Sequence, residues 1–454
     1  MTSKLNIPAI VATSSAFVLI QLDNSVMNVS IVMIARQLGA SLLISQWVLT
    51  SYTLFFAACL IFLGTLSDRI GSTTAFVIGT CLFALASVAC SLAPSIEALI
   101  AARCLQGIAA ALLLPSALSL LNASCEGDES LQVKALGWWM AFGGAALAIG
   151  PLVGGALAQY ASWRYAFVVN VPIGIAGVVL LFRARLPVML TPNLKSIRIP
   201  IISPIALGLA IASGVLITTP GVSVPSEYRW VSGVVLTASI SALFWHGRRN
   251  CMSISVIHQV SRRYIFGLAL GFWINTCIYG LLVGISLYAQ ESLALTPLLS
   301  GVLLVPYAVF VSIANVIGGT MAAKYNTERI LCGGLITASA GYIVLTCFPV
   351  NKAAIFLVGS SIIVSIGMGV VVTALTSYFM TSLAATDVGR GIGTLNASRQ
   401  LGGAVGVGSV ATIWSVGALS GLRLIMAIFA ILLFASGVGF LLLSTKKNSN
   451  MPAE

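Results

Sequence analysis

The sequence predicts an all-α, polytopic membrane protein of fourteen spans: two six-helix bundles with two additional transmembrane helices between them. Three observations carry this reading. Of the 454 residues, 59% are hydrophobic and only 7% charged, with a mean hydropathy of +1.05. Soluble domains carry about a quarter charged residues, so this chain cannot cover a water-facing surface. Second, the apolar residues gather into segments near the ~20 residues that ~30 Å of hydrocarbon demands of a helix. Third, the basic residues are unevenly placed. With the N-terminus inside, Arg36, Arg164, Arg229, Lys352 and Arg423 fall outside, Arg103 and Arg399 lie deep, and the other sixteen of the 23 Lys and Arg are cytoplasmic. That positive-inside asymmetry puts both termini in the cytoplasm and the chain in the cytoplasmic (inner) membrane.

The elements follow in order. Segments 8–36, 44–66, 73–92, 97–121, 133–160 and 163–182 form the N-terminal bundle, residues 1–182. The first of them follows Lys4 and imitates a signal peptide, yet it is too long, contains Asp23 and is kept as a span. Residues 183–263 form a connecting region: two basic stretches, RARLPVMLTPNLKSIRI (183–199) and GRRNCMSISVIHQVSRR (247–263), flank the extra spans 200–219 and 229–246. Segments 264–289, 298–322, 329–348, 353–380, 390–415 and 422–444 form the C-terminal bundle, residues 264–454. A short repeat supports the two halves. GTLSDRIG (64–71) follows the second span and GTMAAKYN (319–326) the tenth, so that Gly64, Thr65 and Arg69 match Gly319, Thr320 and Lys324. The fifth and thirteenth spans are both crowded with glycine. Related halves are how many secondary transporters are built, with the substrate site between them near the midplane.

Several function classes drop out. The net charge of +12 reflects topology and anionic lipid rather than nucleic acid. The nine cysteines lie mostly within spans and never form C-x-x-C, which gives neither a disulfide framework nor a zinc site. There is no G-x-x-x-x-G-K-[ST], no H-E-x-x-H, and His246 and His258 are the only histidines. Loops are short and attach no soluble catalytic domain. The expectation is therefore a non-enzyme with no cofactor and no metal.

Of eleven acidic residues, Asp23 alone lies deep in a span. Holding it ionised at the bilayer centre would cost about 3 kcal/mol on insertion scales, so it is expected to face a polar cavity or to be protonated. A carboxylate in a cavity that opens alternately to two sides can carry a proton; the other reading is a hydrogen bond to a neighbouring helix. Arg103 shares a helix face with Gln106 at i+3, and Arg399 stands beside Gln400 in the thirteenth span. Each arginine reads either as a functional charge or as a snorkelling or helix-anchoring side chain. In the fifth span, Ala146, Gly150, Gly154 and Ala158 recur at intervals of four, a stripe that lets a neighbour approach closely, beside the bend at Pro151. It reads as tight packing, as a hinge and seal, or as both. After the second span, Gly64, Asp68, Arg69 and Gly71 form G-x-x-x-D-R-x-G: Asp68 is placed to cap or pair, and Gly71 to permit a tight turn. It reads as a cytoplasmic gate or as an ordinary loop salt bridge.

These patterns resemble the major facilitator superfamily, specifically its fourteen-span drug:proton antiporter branch. GTLSDRIG is similar to its loop motif, RCLQGIAAA to the fourth-helix R-x-x-Q-G motif, and GGAALAIGPLVGG, with Gly143, Gly150, Pro151, Gly154 and Gly155, to the fifth-helix antiporter motif. LDNSVMNVS, WRYAFVVNVPIG and NASRQLGGAVG resemble further motifs of that branch. The resemblance covers nearly the whole chain and implies the major facilitator fold and proton-coupled antiport of drugs. Asp23 would be the protonation site, Arg103 part of the proton relay, and Asp68 with Arg69 the cytoplasmic gate. Two departures stand out: Ser72 and Thr73 replace the usual basic residues after the loop motif, and Val32 the usual proline of the first helix.

By depth and chemistry, Asn28, Gln106, Trp138, Trp139, Asn275, Tyr279, Arg399 and Gln400 are the candidate cavity residues. The tryptophans suit stacking on flat ligands or ordinary packing. The expected partners are a small-molecule substrate, protons and membrane lipid, with no nucleic acid; a monomer is the simplest state, and no periplasmic or outer-membrane partner is named by the sequence. The alternative is a dedicated exporter of one endogenous metabolite or siderophore, neutral or anionic, since further intramembrane acids for polycations are missing.

Overall fold

A computed structural model describes residues 6–125, 129–184, 237–238, 262–347, 353–380 and 388–448. The expected spans 200–219 and 229–246 lie almost wholly outside these residues, as does most of the 183–263 connection.

The described residues form helices. Apolar runs drive them, and caps bound them. The first, α1 (Ile7–Gln37), starts where the Asn6 side chain accepts the Ala9 amide at 3.2 Å. A short α2 (Leu42–Ser45) leads into α3 (Trp47–Ile70), which bends by 57° between Leu60 and Phe62. Gly71 then turns the chain at φ +87°, a conformation natural only to glycine, and α4 (Ser72–Ser91) begins at once. Ser95 caps α5 (Ile96–Ala123), and α6 (Glu129–Tyr160) runs through Pro151 without ending. The sixth span is α7 (Arg164–Val168) and α8 (Asn170–Arg183), broken at Val169.

In the C-terminal half, α9 (Arg262–Leu287) ends in a π-helical turn, Tyr288–Ser292. Thr296 caps α10 (Pro297–Lys324), and Asn326 caps α11 (Thr327–Thr346) by accepting the Glu328 amide at 2.9 Å. Then come α12 (Ala353–Met380) and a helical run of 61 residues, α13 (Val388–Asn448). A straight helix would hold residues eight apart ~12 Å from each other. Yet a Cβ on Gly421 would fall 2.5 Å from the Ile413 carbonyl, and Gly280 meets both Phe429 and Val410. So α13 doubles back near 417–421, and its two arms are the segments expected at 390–415 and 422–444.

Ten described helical stretches are long and apolar enough to cross a membrane, and the bent α3 makes an eleventh. The two halves repeat one packing relation. Gly150 and Gly154 of α6 press on Ser25 and Val26 of α1, and Gly402 and Gly406 of α13 press on the Phe272 and Thr276 carbonyls of α9. In each half, glycines let the fifth helix lie against the first at backbone distance. Between the halves, α3 packs on α13, α6 on α10 and α1 on α9.

Candidate functional site

Asp23 lies midway along α1 and is 1% exposed. The polar cavity expected around it is absent from its immediate surroundings, because its oxygens are filled by the protein. Oδ2 accepts a hydrogen bond from Arg103 of α5 in a fully buried ion pair. Oδ1 accepts from Gln106 Nε2 and from Asn170 Nδ2, each at 2.9 Å. Both amides are second-anchored on Ser87 of α4, at 2.9 Å from Gln106 and 3.3 Å from Asn170.

Arg103 is held through Nε and Nη1, while its Nη2 is buried without a hydrogen-bond partner among the described residues. Its Nε donates to the Val48 carbonyl of α3 at 2.9 Å, Nη1 to Gln106 Oε1 at 2.8 Å, and the guanidinium lies 4.2 Å over the Tyr52 ring. Burying either charge alone would be expensive; together, hydrogen-bonded and stacked, they cancel. The cluster thus ties α1, α3, α4, α5 and α8 at one point. The break at Val169 places Asn170 at the head of α8, one turn from the buried Phe167.

The glycine-rich α6 uses two faces. One, through Gly143, Gly150 and Gly154, meets Phe17, Ser25 and Val26 of α1. Ser25 Oγ donates to the Leu147 carbonyl at 2.9 Å there. The other face meets α10 of the opposite half: a Cβ on Gly155 would fall 2.6 Å from the Pro297 carbonyl, Gly301 abuts the Pro151 carbonyl, and Ser312 Oγ donates to the Gly144 carbonyl at 3.2 Å.

More ties between the halves gather at the end of the molecule where α1 stops, here the distal end. Ser286 Oγ donates to the Asn28 carbonyl at 2.8 Å, and Gln290 Nε2 to the Val29 carbonyl at 2.9 Å. Arg36 pairs with Glu291 at 2.9 Å. Gln290 and Glu291 belong to the π-helical turn, and π-bulges often mark functional sites. At the same end, buried Trp163 donates to Gln37 at 2.8 Å, and Arg164 to the Ser91 and Ala93 carbonyls.

The remaining expected residues separate. Trp139 is buried, stacked on Phe17 with ring centroids 4.0 Å apart, its indole donating to the Thr13 carbonyl; neighbouring Trp138 is 58% exposed. Gln106 joins the ion-pair cluster. Asn275 and Tyr279 are partly buried on α9. Arg399 is held by the Val372 carbonyl at 3.0 Å and Thr376 Oγ1 at 2.9 Å, away from Asp23, with Gln400 beside it. Asp68 and Arg69 occupy the last turn of α3, beyond Gly64 and before Gly71. Asn170, Ser87, Tyr52, Ser286 and Gln290 carry contacts the sequence reading did not assign; a polar side chain inside an apolar span was the available signal.

Comparison with known proteins agrees with this architecture. The Major Facilitator Superfamily model matches residues 13–407 and 268–453. The methylenomycin A resistance protein of Bacillus subtilis (strain 168) is 31% identical over 422 residues, covering 89% of this chain and 87% of that protein. The multidrug resistance protein Stp of Mycobacterium tuberculosis (strain CDC 1551 / Oshkosh) is 28% identical, covering 89% and 76%. A solved peptide transporter POT in complex with sulfate superposes with a TM-score of 0.68 at 15% identity, over 97% of this chain and 94% of that one, which speaks for the fold. On the family match and the shared helical architecture, the chain is a multi-pass membrane transporter and belongs to the Major Facilitator Superfamily.

Proposed function

We propose that this transporter exports small lipophilic or amphipathic compounds, drugs among them, in exchange for protons, by alternating access between its two halves. The relatives named for drug resistance support the cargo class. The observation that carries the coupling is the buried Asp23–Arg103 pair. It is a charge pair in the membrane interior, fixed by residues of five helices, and its Asp is a group that a proton can neutralise.

In this reading the N-terminus is cytoplasmic, so the distal end faces outside, and the ties of Arg36, Ser286 and Gln290 support an inward-facing resting state. Cargo enters between the halves from the cytoplasm or inner leaflet. Opening of the distal end lets a proton reach Asp23; that separates the Asp from Arg103 and frees α1 from α5 and α8. Return to the inward state delivers the proton to the cytoplasm. Each proton moving inward through 100 mV supplies about 2.3 kcal/mol, a ~50-fold gradient for a neutral cargo exchanged one-for-one. Fourteen spans, in the drug:proton antiporter branch, belong to the same proposal, as do the bundle limits 1–182 and 264–454.

The test is flux in proteoliposomes across a compound panel, native protein beside Asp23→Asn. Loss of pH-driven exchange with binding retained is the expected result. Undiminished pH-driven exchange in the variant would move coupling elsewhere, Glu291 being the next residue to probe. The second reading, a dedicated exporter of one endogenous neutral or anionic compound, is favoured by the filled coordination of Asp23, which leaves a polycation nothing to bind.

A further inference from the structure

The seam between α1 and α9 is lined with uncharged polar side chains. Among the described residues, the acids other than Asp23 stand at helix ends: Asp68 in the last turn of α3, Glu97 and Glu328 in the first turns of α5 and α11, Glu129 opening α6, and Glu291 in the π-helical turn. Asp23 faces its own bundle, and its oxygens already accept Arg103, Gln106 and Asn170. One face of the Tyr52 ring already carries a cation, the Arg103 guanidinium at 4.2 Å.

What the seam offers instead is neutral. On α1, Gln21, Asn24 and Asn28 recur at i, i+3 and i+7; on α9, Asn275, Tyr279 and Ser286 recur at i, i+4 and i+11, with Gln290 in the π-helical turn that follows. Helical geometry sets each group along one stripe. Distally the stripes are joined, Ser286 to the Asn28 carbonyl and Gln290 to the Val29 carbonyl. Nearer mid-depth, Asn24 Nδ2 and Asn28 Oδ1 are buried without a partner among the described residues. The Tyr307 hydroxyl of α10 is likewise buried and unpartnered among the described residues, in the core against which Tyr279 packs. Buried groups of this kind are rare in folded proteins, and a ligand that satisfies them gains what the empty site has lost.

We infer that the cargo of this exporter is an uncharged molecule with both hydrogen-bond donors and acceptors, taken at the seam of α1 and α9 by Asn24, Asn28 and Tyr279, with Tyr307 of α10 beside them, and that permanent cations are poor cargo. This rests on the export function proposed above. The test is accumulation in proteoliposomes holding the full chain, under an imposed pH gradient, of three probes: neutral chloramphenicol, cationic tetraphenylphosphonium and anionic benzenesulfonate. Chloramphenicol should move at least tenfold faster than either ion, and Asn28→Leu should slow it about tenfold. Asn28→Ser, which keeps a hydrogen-bonding group in less volume, should slow it less and guards against a folding defect in the first variant. Faster movement of tetraphenylphosphonium or benzenesulfonate overturns the cargo class while export stands. Chloramphenicol flux indifferent to both variants overturns the site. Movement of none of the three overturns the cargo class and counts against export itself.

Discussion

Replacing Arg103 by leucine isolates the energetics of the buried pair. The variant keeps the two amide donors on Asp23 Oδ1 but removes the cation from Oδ2. Removing one partner of a fully buried pair costs about 3–5 kcal/mol, because the other charge is left uncompensated. The variant should therefore be destabilised by about 3–5 kcal/mol. The double variant Asp23→Leu/Arg103→Leu carries neither charge and should recover most of the loss. Equilibrium unfolding in mixed micelles by added SDS, followed by tryptophan fluorescence, compares the native protein with both variants. An Arg103→Leu protein within about 1 kcal/mol of native, or a double variant no more stable than the single one, would refute the reasoning.

Three further outcomes follow from the packing. Gly155→Leu drives a side chain into the Pro297 carbonyl, and should reduce export more than tenfold while the protein still inserts; Gly137→Ala, with open space around it, should leave export unchanged, and vesicle flux compares the two. Arg36→Gln removes a tie between the halves whose arginine is 69% exposed, worth at most about 1 kcal/mol, so cysteine cross-linking between α1 and α9 should fall by no more than about fivefold, an effect that high salt reproduces in the native protein. Trp139→Ala opens a hole against Phe17 and should cost about 3–5 kcal/mol of stability, whereas Trp138→Ala should be nearly neutral; thermal unfolding in detergent separates them.

The two tryptophans show where sequence reading runs out. Their depth in the fifth span was legible, but adjacent helical positions point about 100° apart, and hydropathy says nothing of which direction holds a cavity. One ring went to Phe17 and the other outward. The same limit hid the partners of Asp23: a carboxylate deep in an apolar helix is visible as a cost, whereas Arg103, eighty residues away, meets it through the packing of three helices. Gln106 was placed correctly on the Arg103 face by its i+3 spacing, yet that spacing does not tell a cavity from a buried cluster. The positions of the helices were easier, because apolar length is a one-dimensional signal. Even there, residues 416–421, read as a break, stay helical while the chain reverses.

The sealed pair changes what proton coupling asks of this fold. A lone acid in a cavity takes a proton at the expense of its own charge alone. Here a proton on Asp23 strands Arg103, whose remaining contacts include the Val48 carbonyl, Gln106 and the Tyr52 and Phe167 rings, all of them neutral. The ~2.3 kcal/mol available per proton and 100 mV falls short of the ~3–5 kcal/mol of a broken buried pair. If protons drive the cycle as proposed, the pair therefore has to open to water as the proton arrives, with the hydration of Arg103 making up the difference. In the proposed cycle the helix that carries Asp23 links those events. Two residues on, Ser25 contacts the glycine seam of α6, and at Asn28 and Val29 the same helix is tied to α9. In that cycle, releasing the acid face of α1 loosens the strut that joins it to α9 at the distal end, so that access and protonation would change together through one rigid element.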